Sequence, residues 1–257
     1  ASYAHAAAAV TVYLNASSST GGAGIDYFTA IEGFVGSAFN DTLVGNGEAN
    51  LLLGGAGADR LYGLDGDDTL RGGAGDDLLY GGAGSDTADY ADATASVRVV
   101  LGLAATVDTI SFGRDRYFDI ENATGGSAKD FLTGDAGANV LDGQAGDDTI
   151  DGGAGNDTLL GGAGNDSLTG GAGADAIDLG SGFDIVRYAA ASDSRVAAMD
   201  VVANFTQSGG DGFDRIGFAK AAGALFAGVA PTAIALGAHV ALDGASTMDD
   251  LVLQLAT

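Results

Sequence analysis

Residues 143–169 read GQAGDDTID GGAGNDTLL GGAGNDSLT, which is one nine-residue pattern repeated three times in succession. Every copy has glycine at positions 1 and 4, aspartate at position 6 and leucine or isoleucine at position 8. A flexible glycine-rich linker has no need of an aliphatic residue at every ninth place, always two residues after an acid. The pattern therefore predicts a solenoid in which each nonapeptide supplies one tight turn and one short strand.

The same register extends over two blocks, residues 36–89 and residues 125–187. Turns in the first block begin at Gly36, Gly45, Gly54, Gly63, Gly72 and Gly81, and turns in the second begin at Gly125, Gly134, Gly143, Gly152, Gly161, Gly170 and Leu179. Position 8 is apolar in every turn, so we expect it to face inward. Positions 7 and 9 then face outward, in a strand of three residues. The sequence thus predicts an all-β chain.

Position 6 is an acid or an amide in every turn, and it stands beside glycine-rich turns. Hard oxygen donors, in a chain without Cys and with only two His, favour Ca²⁺ over zinc or copper. Mg²⁺ fits less well because it prefers a rigid octahedron and keeps its waters. The predicted metal-binding residues are Asp41, Gly55, Gly57, Asp59, Asp65, Gly66, Asp68, Gly73, Gly75, Asp77, Gly82, Gly84, Asp86, Asp130, Asn139, Gly146, Asp148, Gly153, Gly155, Asp157, Gly162, Gly164, Asp166, Gly171, Gly173, Asp175, Gly182 and Asp184.

The motif GGxGxDxUx, in which U is a large aliphatic residue, resembles the calcium-binding repeat of the RTX (repeats-in-toxin) family over both blocks. The resemblance implies a right-handed parallel β-roll in which two nonapeptides form one coil, so that turns n and n+2 stack with Ca²⁺ between them. It implies about nine potential sites, and nine ions would reduce the net charge from −25 to about −7. GSAFNDTLV, GNGEANLLL, GGSAKDFLT and GDAGANVLD depart from the motif, and LGSGFDIVR lacks its first glycine, so we expect weak or empty sites at the block ends.

Segments 1–35 and 90–124 match each other in sequence and precede the two blocks. Both contain a strand-like alternation, which predicts further β-structure, at Val10, Val12, Leu14, Val97, Val99 and Leu101. The chain opens in the middle of this longer repeat, so we expect it to be cut from a longer protein or processed.

Residues 188–257 resemble the region that follows the roll in serralysin-like proteins, which implies a β-rich C-terminal cap, either truncated or carrying a secretion signal. Asp200, Asp211 and Asp214 offer a further ion site, although solvated turn acids are the favoured interpretation. Capping boxes at Ser246 and Thr247 predict a short terminal helix.

Composition and the absence of catalytic motifs argue against several classes of function. A net charge of −25 argues against nucleic acid as a partner, and no uninterrupted apolar run supports a membrane span. The chain has no HExxH, GxSxG or GxxxxGK[ST] motif, and His5 and His239 are isolated, so we expect no enzymatic activity.

The favoured hypothesis is an extracellular bacterial module, exported by type I secretion, that folds on binding Ca²⁺ and has a structural or adhesive role in a surface layer, filament or adhesin. The alternative is the C-terminal module of a larger RTX enzyme, such as a protease, lipase or alginate epimerase. Outward apolar residues would supply a strip for self-association, namely Val44, Leu53, Tyr62, Tyr80 and Leu160.

Overall fold

The computed structural model describes residues 1–14, 18–21, 30–102, 107–108, 113–188, 200–204, 215–218 and 250–252. The chain divides into two compact units, Ala1–Thr124 and Gly125–Thr257. All regular secondary structure in the described ranges is β-strand. No helix there is long and apolar enough to cross a membrane.

The first unit contains two parallel sheets. Its strands are β1 Val10–Tyr13, β2 Ser18–Gly21, β3 Gly33–Val35, β4 Thr42–Val44, β5 Leu51–Ala56, β6 Arg60–Asp65, β7 Thr69–Ala74, β8 Leu78–Ala83, β9 Thr87–Asp89, β10 Arg98–Val100, β11 Val107–Asp108, β12 Arg114–Phe118 and β13 Asn122–Thr124. One sheet has the parallel order β12-β8-β6-β4-β1, with β11 and β2 antiparallel at its edges. The other has the parallel order β13-β9-β7-β5-β3.

The second unit repeats this arrangement. Its strands are β14 Phe131–Thr133, β15 Val140–Asp142, β16 Thr149–Ala154, β17 Thr158–Leu160, β18 Ser167–Ala172, β19 Ala176–Asp178, β20 Ile185–Tyr188, β21 Val201–Ala203, β22 Arg215–Phe218 and β23 Asp250–Val252. One sheet has the parallel order β14-β16-β18-β20-β22. The other has the parallel order β15-β17-β19-β21, with β23 antiparallel at its edge.

Within each block, a strand pairs with the second strand after it in the chain, at a spacing of 18 residues. Leu52 is opposite Leu70 in one unit, and Leu159 is opposite Ile177 in the other. Two nonapeptides therefore complete one coil and neighbouring nonapeptides lie in opposite sheets, so the expected all-β class and parallel β-roll are confirmed.

The core is a stack of the position-8 side chains, which are at most 1% exposed. They are Leu43, Leu52, Leu61, Leu70, Leu79 and Ala88 in the first unit, and Leu132, Leu141, Ile150, Leu159, Leu168, Ile177 and Val186 in the second. Burial of one such leucine or isoleucine contributes about 1.5–3 kcal/mol, so each coil adds two hydrophobic residues to a continuous core.

The expected strand length of three residues is wrong for β5 to β8, β16 and β18, which have six residues each. Their pairing continues into the turn, where Gly55 is opposite Gly73 and Ala56 is opposite Ala74. Glycines of successive coils lie close enough for backbone hydrogen bonds, because no Cβ separates them. The turns therefore belong to the sheets.

The flanking segments extend the rolls. The alternating residues of segments 1–35 and 90–124 are buried, and three of them, Val10, Val12 and Val99, lie in β1 and β10. In the second unit, β21 and β22 each continue a sheet beyond the last nonapeptide of the block. The predicted terminal helix is wrong where the structure describes it, because Asp250–Val252 forms a strand against Val201–Ala203. A free sheet edge at that end outweighed the local capping signal.

Candidate metal sites

The position-6 side chains form two buried columns in each unit, because each one stacks on the position-6 side chain 18 residues later. Their exposure is between 0 and 4%, although nearly all of them are carboxylates. From Asp59 and Asp148 onward in the two blocks, the Oδ1 atom accepts a hydrogen bond from the backbone N–H of the position-6 residue one coil earlier, for example from Asp59 to Asp77 at 2.8 Å and from Asp148 to Asp166 at 2.8 Å. One oxygen of each of these carboxyl groups is therefore used to join successive coils.

In most turns the other carboxylate oxygen, Oδ2, makes no hydrogen bond to a neighbouring coil. The Oδ2 atom is buried without a hydrogen-bond partner in Asp59, Asp68, Asp77, Asp86, Asp148, Asp157 and Asp166. A Cβ placed on Gly54 would lie 2.6 Å from the carbonyl oxygen of Gly72, and it would also collide with Oδ2 of Asp59. A carboxylate oxygen and a main-chain oxygen of the next coil thus converge on a space that only glycine leaves open.

These turns share one backbone conformation, and we call them open turns: 54–59, 63–68, 72–77, 81–86, 143–148, 152–157, 161–166, 170–175 and 179–184. Positions 2 and 4 have positive φ in all of them, for example 101° at Gly73 and 139° at Gly75. A side chain at Gly73 would collide with the carbonyl oxygen of Gly55. All of the predicted glycine ligands lie at these positive-φ positions, whereas Asp65 is exposed at position 3.

Four other turns lack the positive φ values: 36–41, 45–50, 125–130 and 134–139. In these the position-6 oxygen accepts the backbone N–H of position 2 in its own turn, from Ser37 to Asp41 at 2.5 Å and from Asn46 to Asn50 at 2.8 Å. The second unit repeats this contact, from Gly126 to Asp130 at 2.6 Å and from Asp135 to Asn139 at 2.8 Å. We call these four self-capped turns.

Burial raises the pKa of several position-6 carboxyl groups. It raises the pKa of Asp59, Asp77 and Asp148 from 3.8 to about 7, with neighbouring carboxylates adding to the shift, while hydrogen bonds from the backbone oppose it. Burial also raises the pKa of Asp86 and Asp157 to about 6. Ionised carboxylates in these columns consequently require a positive charge nearby.

Comparison with known families identifies the pattern. The RTX calcium-binding nonapeptide repeat matches in four overlapping copies, over residues 35–70, 53–88, 124–159 and 152–186. The two blocks are RTX calcium-binding repeats. No curated protein matches the chain.

The donor set of the RTX turns fits calcium. No group of three or more His, Cys, Asp or Glu side chains that could hold a metal lies in the described part of the chain, so side chains alone do not form a site. The Oδ2 atoms and the main-chain oxygens of the open turns are hard donors, as Ca²⁺ requires. The residues that would hold the ion are therefore the position-6 aspartates and the turn glycines of the open turns.

The structure adds residues that the analysis of the sequence missed. Asp115 accepts the backbone N–H of Asp77 at 3.0 Å, and Glu121 accepts that of Asp86 at 2.9 Å, so they continue the two columns of the first unit after an insertion. Asp200 does the same for Asp175 at 3.1 Å. Asp200 is fully buried, so its interpretation as a solvated turn acid is wrong.

A sequence signal for Asp115 existed, because Gly113, Asp115 and Tyr117 occupy positions 4, 6 and 8 of a nonapeptide displaced by the insertion. The same displaced spacing recurs in GGDGFDRIG at 209–217, which is a complete copy of the RTX motif, and in GGAGIDYFT at 21–29, which has Phe28 at position 8. Asp26, Asp211 and Asp214 in these copies lie outside the described residues. Ile216, however, is opposite Val186, in the register of a further coil.

A second side-chain ladder at position 5 was also missed. The side chains of Asp67, Asp147 and Asn156 accept the backbone N–H of the residue 18 places later, at 2.8–3.0 Å. These hydrogen bonds lie at the exposed edge of the turns, so they join successive coils outside the metal-binding space.

Proposed function

We propose that this chain is an extracellular module that folds when calcium fills its open turns and that has a structural or adhesive role. The single observation that carries the proposal is the row of buried, unpartnered Oδ2 atoms beside main-chain oxygens of the next coil. A buried ionised carboxylate without a partner is costly, and a divalent cation supplies the missing charge.

The chain's own residues prepare this binding. In the open turns, Oδ1 of the position-6 aspartate accepts the backbone N–H of the position-6 residue one coil earlier, which leaves Oδ2 directed away from that hydrogen bond. Glycine at position 1 keeps the space beside Oδ2 free of a side chain in every open turn except 179–184, where position 1 is Leu179. Bound calcium would offset the repulsion between carboxylates and the entropy lost when the coils become ordered.

The affinity expected for such sites supports a role outside the cell. Extracellular calcium modules bind at about 10⁻⁴ to 10⁻³ M, far above resting cytosolic concentrations. A chain with a net charge of −25 would remain unfolded before export and would fold where calcium is plentiful. RTX repeats are typical of secreted bacterial proteins, which supports export by type I secretion.

A non-enzymatic role is part of the proposal. The buried carboxylates of the open turns stack along the roll, whereas acid and base catalysis needs them opposed across an accessible cleft.

On the outer face, Tyr62, Tyr80 and Phe118 stack with ring centroids 4.7 and 4.5 Å apart, and they form a half-buried aromatic ladder suited to self-association. Val44 contributes little to such a strip because it is only 9% exposed.

Circular dichroism tests the folding mechanism. Addition of millimolar CaCl₂ to the metal-free chain should convert a coil spectrum into a β spectrum, and equal MgCl₂ should have little effect because Mg²⁺ retains its water shell. A spectrum that calcium leaves unchanged would contradict the proposal.

Electron microscopy tests self-association. If the role is structural, images of the calcium-loaded protein should show assemblies, and images of monomers alone would count against self-association.

A further inference from the structure

The first two turns of each block differ from those that follow them. Turns 36–41 and 45–50 open the first block, and turns 125–130 and 134–139 open the second. All four are self-capped, and because two turns complete one coil, each pair forms one full coil. The open turns begin immediately after this coil in both units.

We propose that the first coil of each block takes no calcium, because backbone N–H groups occupy the oxygen that an ion would use. Calcium then binds from the turns that begin at Gly54 and Gly143 onward. This inference rests on the proposed function, since it divides the same RTX turns into those that bind an ion and those that hold their shape without one.

The contested oxygen lies in the same place in both kinds of turn. A Cβ on Gly125 would lie 2.5 Å from Oδ2 of Asp130 in a self-capped turn, and a Cβ on Gly143 would lie 2.5 Å from Oδ2 of Asp148 in an open turn. In the first case the N–H of Gly126 donates to that oxygen at 2.6 Å. In the second, position 2 is Gln144 with φ 68° and Oδ2 has no hydrogen-bond partner.

The self-capped turns and the open turns also differ in charge. Two of the four self-capped turns have a neutral amide at position 6, Asn50 and Asn139, whereas every open turn has aspartate there. In the first turn of the second unit, the ammonium group of Lys129 donates to the carbonyl oxygen of Asp147, one coil later, at 2.8 Å. An amide carries no charge to neutralise, and an ammonium already supplies a cation, so neither creates a demand for calcium.

Matched substitutions measure this division directly. Asp41→Asn and Asp130→Asn change self-capped turns, and Asp59→Asn and Asp148→Asn make the same change in the next open turn on the same side. Asn50 and Asn139 already hold the self-capped conformation, so asparagine is compatible with it. The number of ions bound to the full chain is counted by equilibrium dialysis in saturating calcium.

We expect Asp41→Asn and Asp130→Asn to bind as many ions as the unchanged protein, and Asp59→Asn and Asp148→Asn to lose at least one each. Loss of an ion in Asp41→Asn or Asp130→Asn would overturn the inference while leaving calcium binding intact. An unchanged protein that binds no calcium would instead defeat the proposed function.

A gain of binding provides a second test. The double substitution of Ser37→Gly and Phe39→Gly changes GSAFND into GGAGND, the sequence of the open turns at 152–157 and 161–166. It supplies glycine at the two positions where open turns need positive φ. The variant should bind one ion more than the unchanged protein, and no increase would overturn the claim that turn conformation excludes the ion.

Discussion

Each position-6 aspartate of an open turn uses its two oxygens differently. Oδ1 of Asp77 accepts a hydrogen bond from Asp59, whereas Oδ2 of Asp77 is buried without a partner. A buried acceptor without a donor costs about 1–3 kcal/mol, and more when it is charged. In the absence of metal, the cheapest remedy is a proton on the carboxyl group, which is why burial raises its pKa to about 7. Protons and calcium therefore compete for the same oxygen.

This competition predicts a dependence on pH. The pKa of Asp59, Asp77 and Asp148 rises from 3.8 to about 7 on folding, so the metal-free folded state binds protons more tightly than the unfolded state. The resulting stabilisation is complete below about pH 4 and is lost as the pH rises through about 7. In chelator the chain should be a coil at pH 8, and the β signal in its circular dichroism spectrum should increase as the pH falls to 5. At pH 6, added CaCl₂ should release protons, which a pH electrode in unbuffered solution measures.

The control for this experiment is the same titration at pH 8.5, where the carboxyl groups are already ionised and few protons should be released. Asp157→Asn should reduce the release at pH 6, because it removes a group whose pKa is about 6 in the folded state. Calcium binding at pH 6 without proton release would show that the columns are ionised before the ion arrives.

At the level of the strand, the sequence predicts the core well. A nonapeptide with one apolar residue at position 8 allows one inward side chain per strand, and the structure buries every one of them. This feature depends on local periodicity, which the sequence displays directly. The spacing of 18 residues between paired strands is what the resemblance to RTX repeats implies, because a nine-residue period alone does not set the number of turns in a coil.

Other features depend on contacts between coils, which local periodicity does not display. The length of β7 depends on the approach of Gly73 to Gly55, and the role of Asp115 depends on an insertion that returns the chain to the stack. The distinction between Asp41 and Asp59 depends on which N–H points at the carboxyl group. The departures from the motif at the block ends indicate which turns differ, but the motif does not specify the hydrogen bond that makes them differ.

The alternation along β5 gives a matched test of the core. Leu52 is fully buried, whereas its neighbour Leu51 is 44% exposed. Leu52→Ala should destabilise the calcium-loaded protein by about 2–5 kcal/mol, because it leaves a cavity between the coils. Leu51→Ala should cost less than about 0.5 kcal/mol, since it lies at the surface. Urea denaturation in saturating calcium measures both, and equal losses would contradict the assigned orientation of the strand.

Over the whole chain, repulsion between acidic side chains opposes folding, because the sequence has 35 acidic residues and only 10 basic ones. Each compact unit has its own self-capped coil followed by its own open turns. Calcium bound in one block relieves repulsion and orders coils within that block, since the carboxylates that share an ion belong to stacked turns. We therefore expect the two blocks to respond to calcium as separate cooperative elements.

Block-specific substitution tests that expectation. Asp157→Ala, Asp166→Ala and Asp175→Ala together remove the position-6 carboxylates of three consecutive open turns in the second block. Asp59→Ala, Asp68→Ala and Asp77→Ala together form the matched variant of the first. Hydrogen exchange, followed by mass spectrometry across a calcium titration, reports the protection of β7 and β17 independently. Each triple variant should raise the calcium midpoint of its own block by about tenfold or more and leave the other within about twofold, because about 1.4 kcal/mol corresponds to a tenfold change. Equal shifts in both blocks would mean that calcium orders the chain as one cooperative unit.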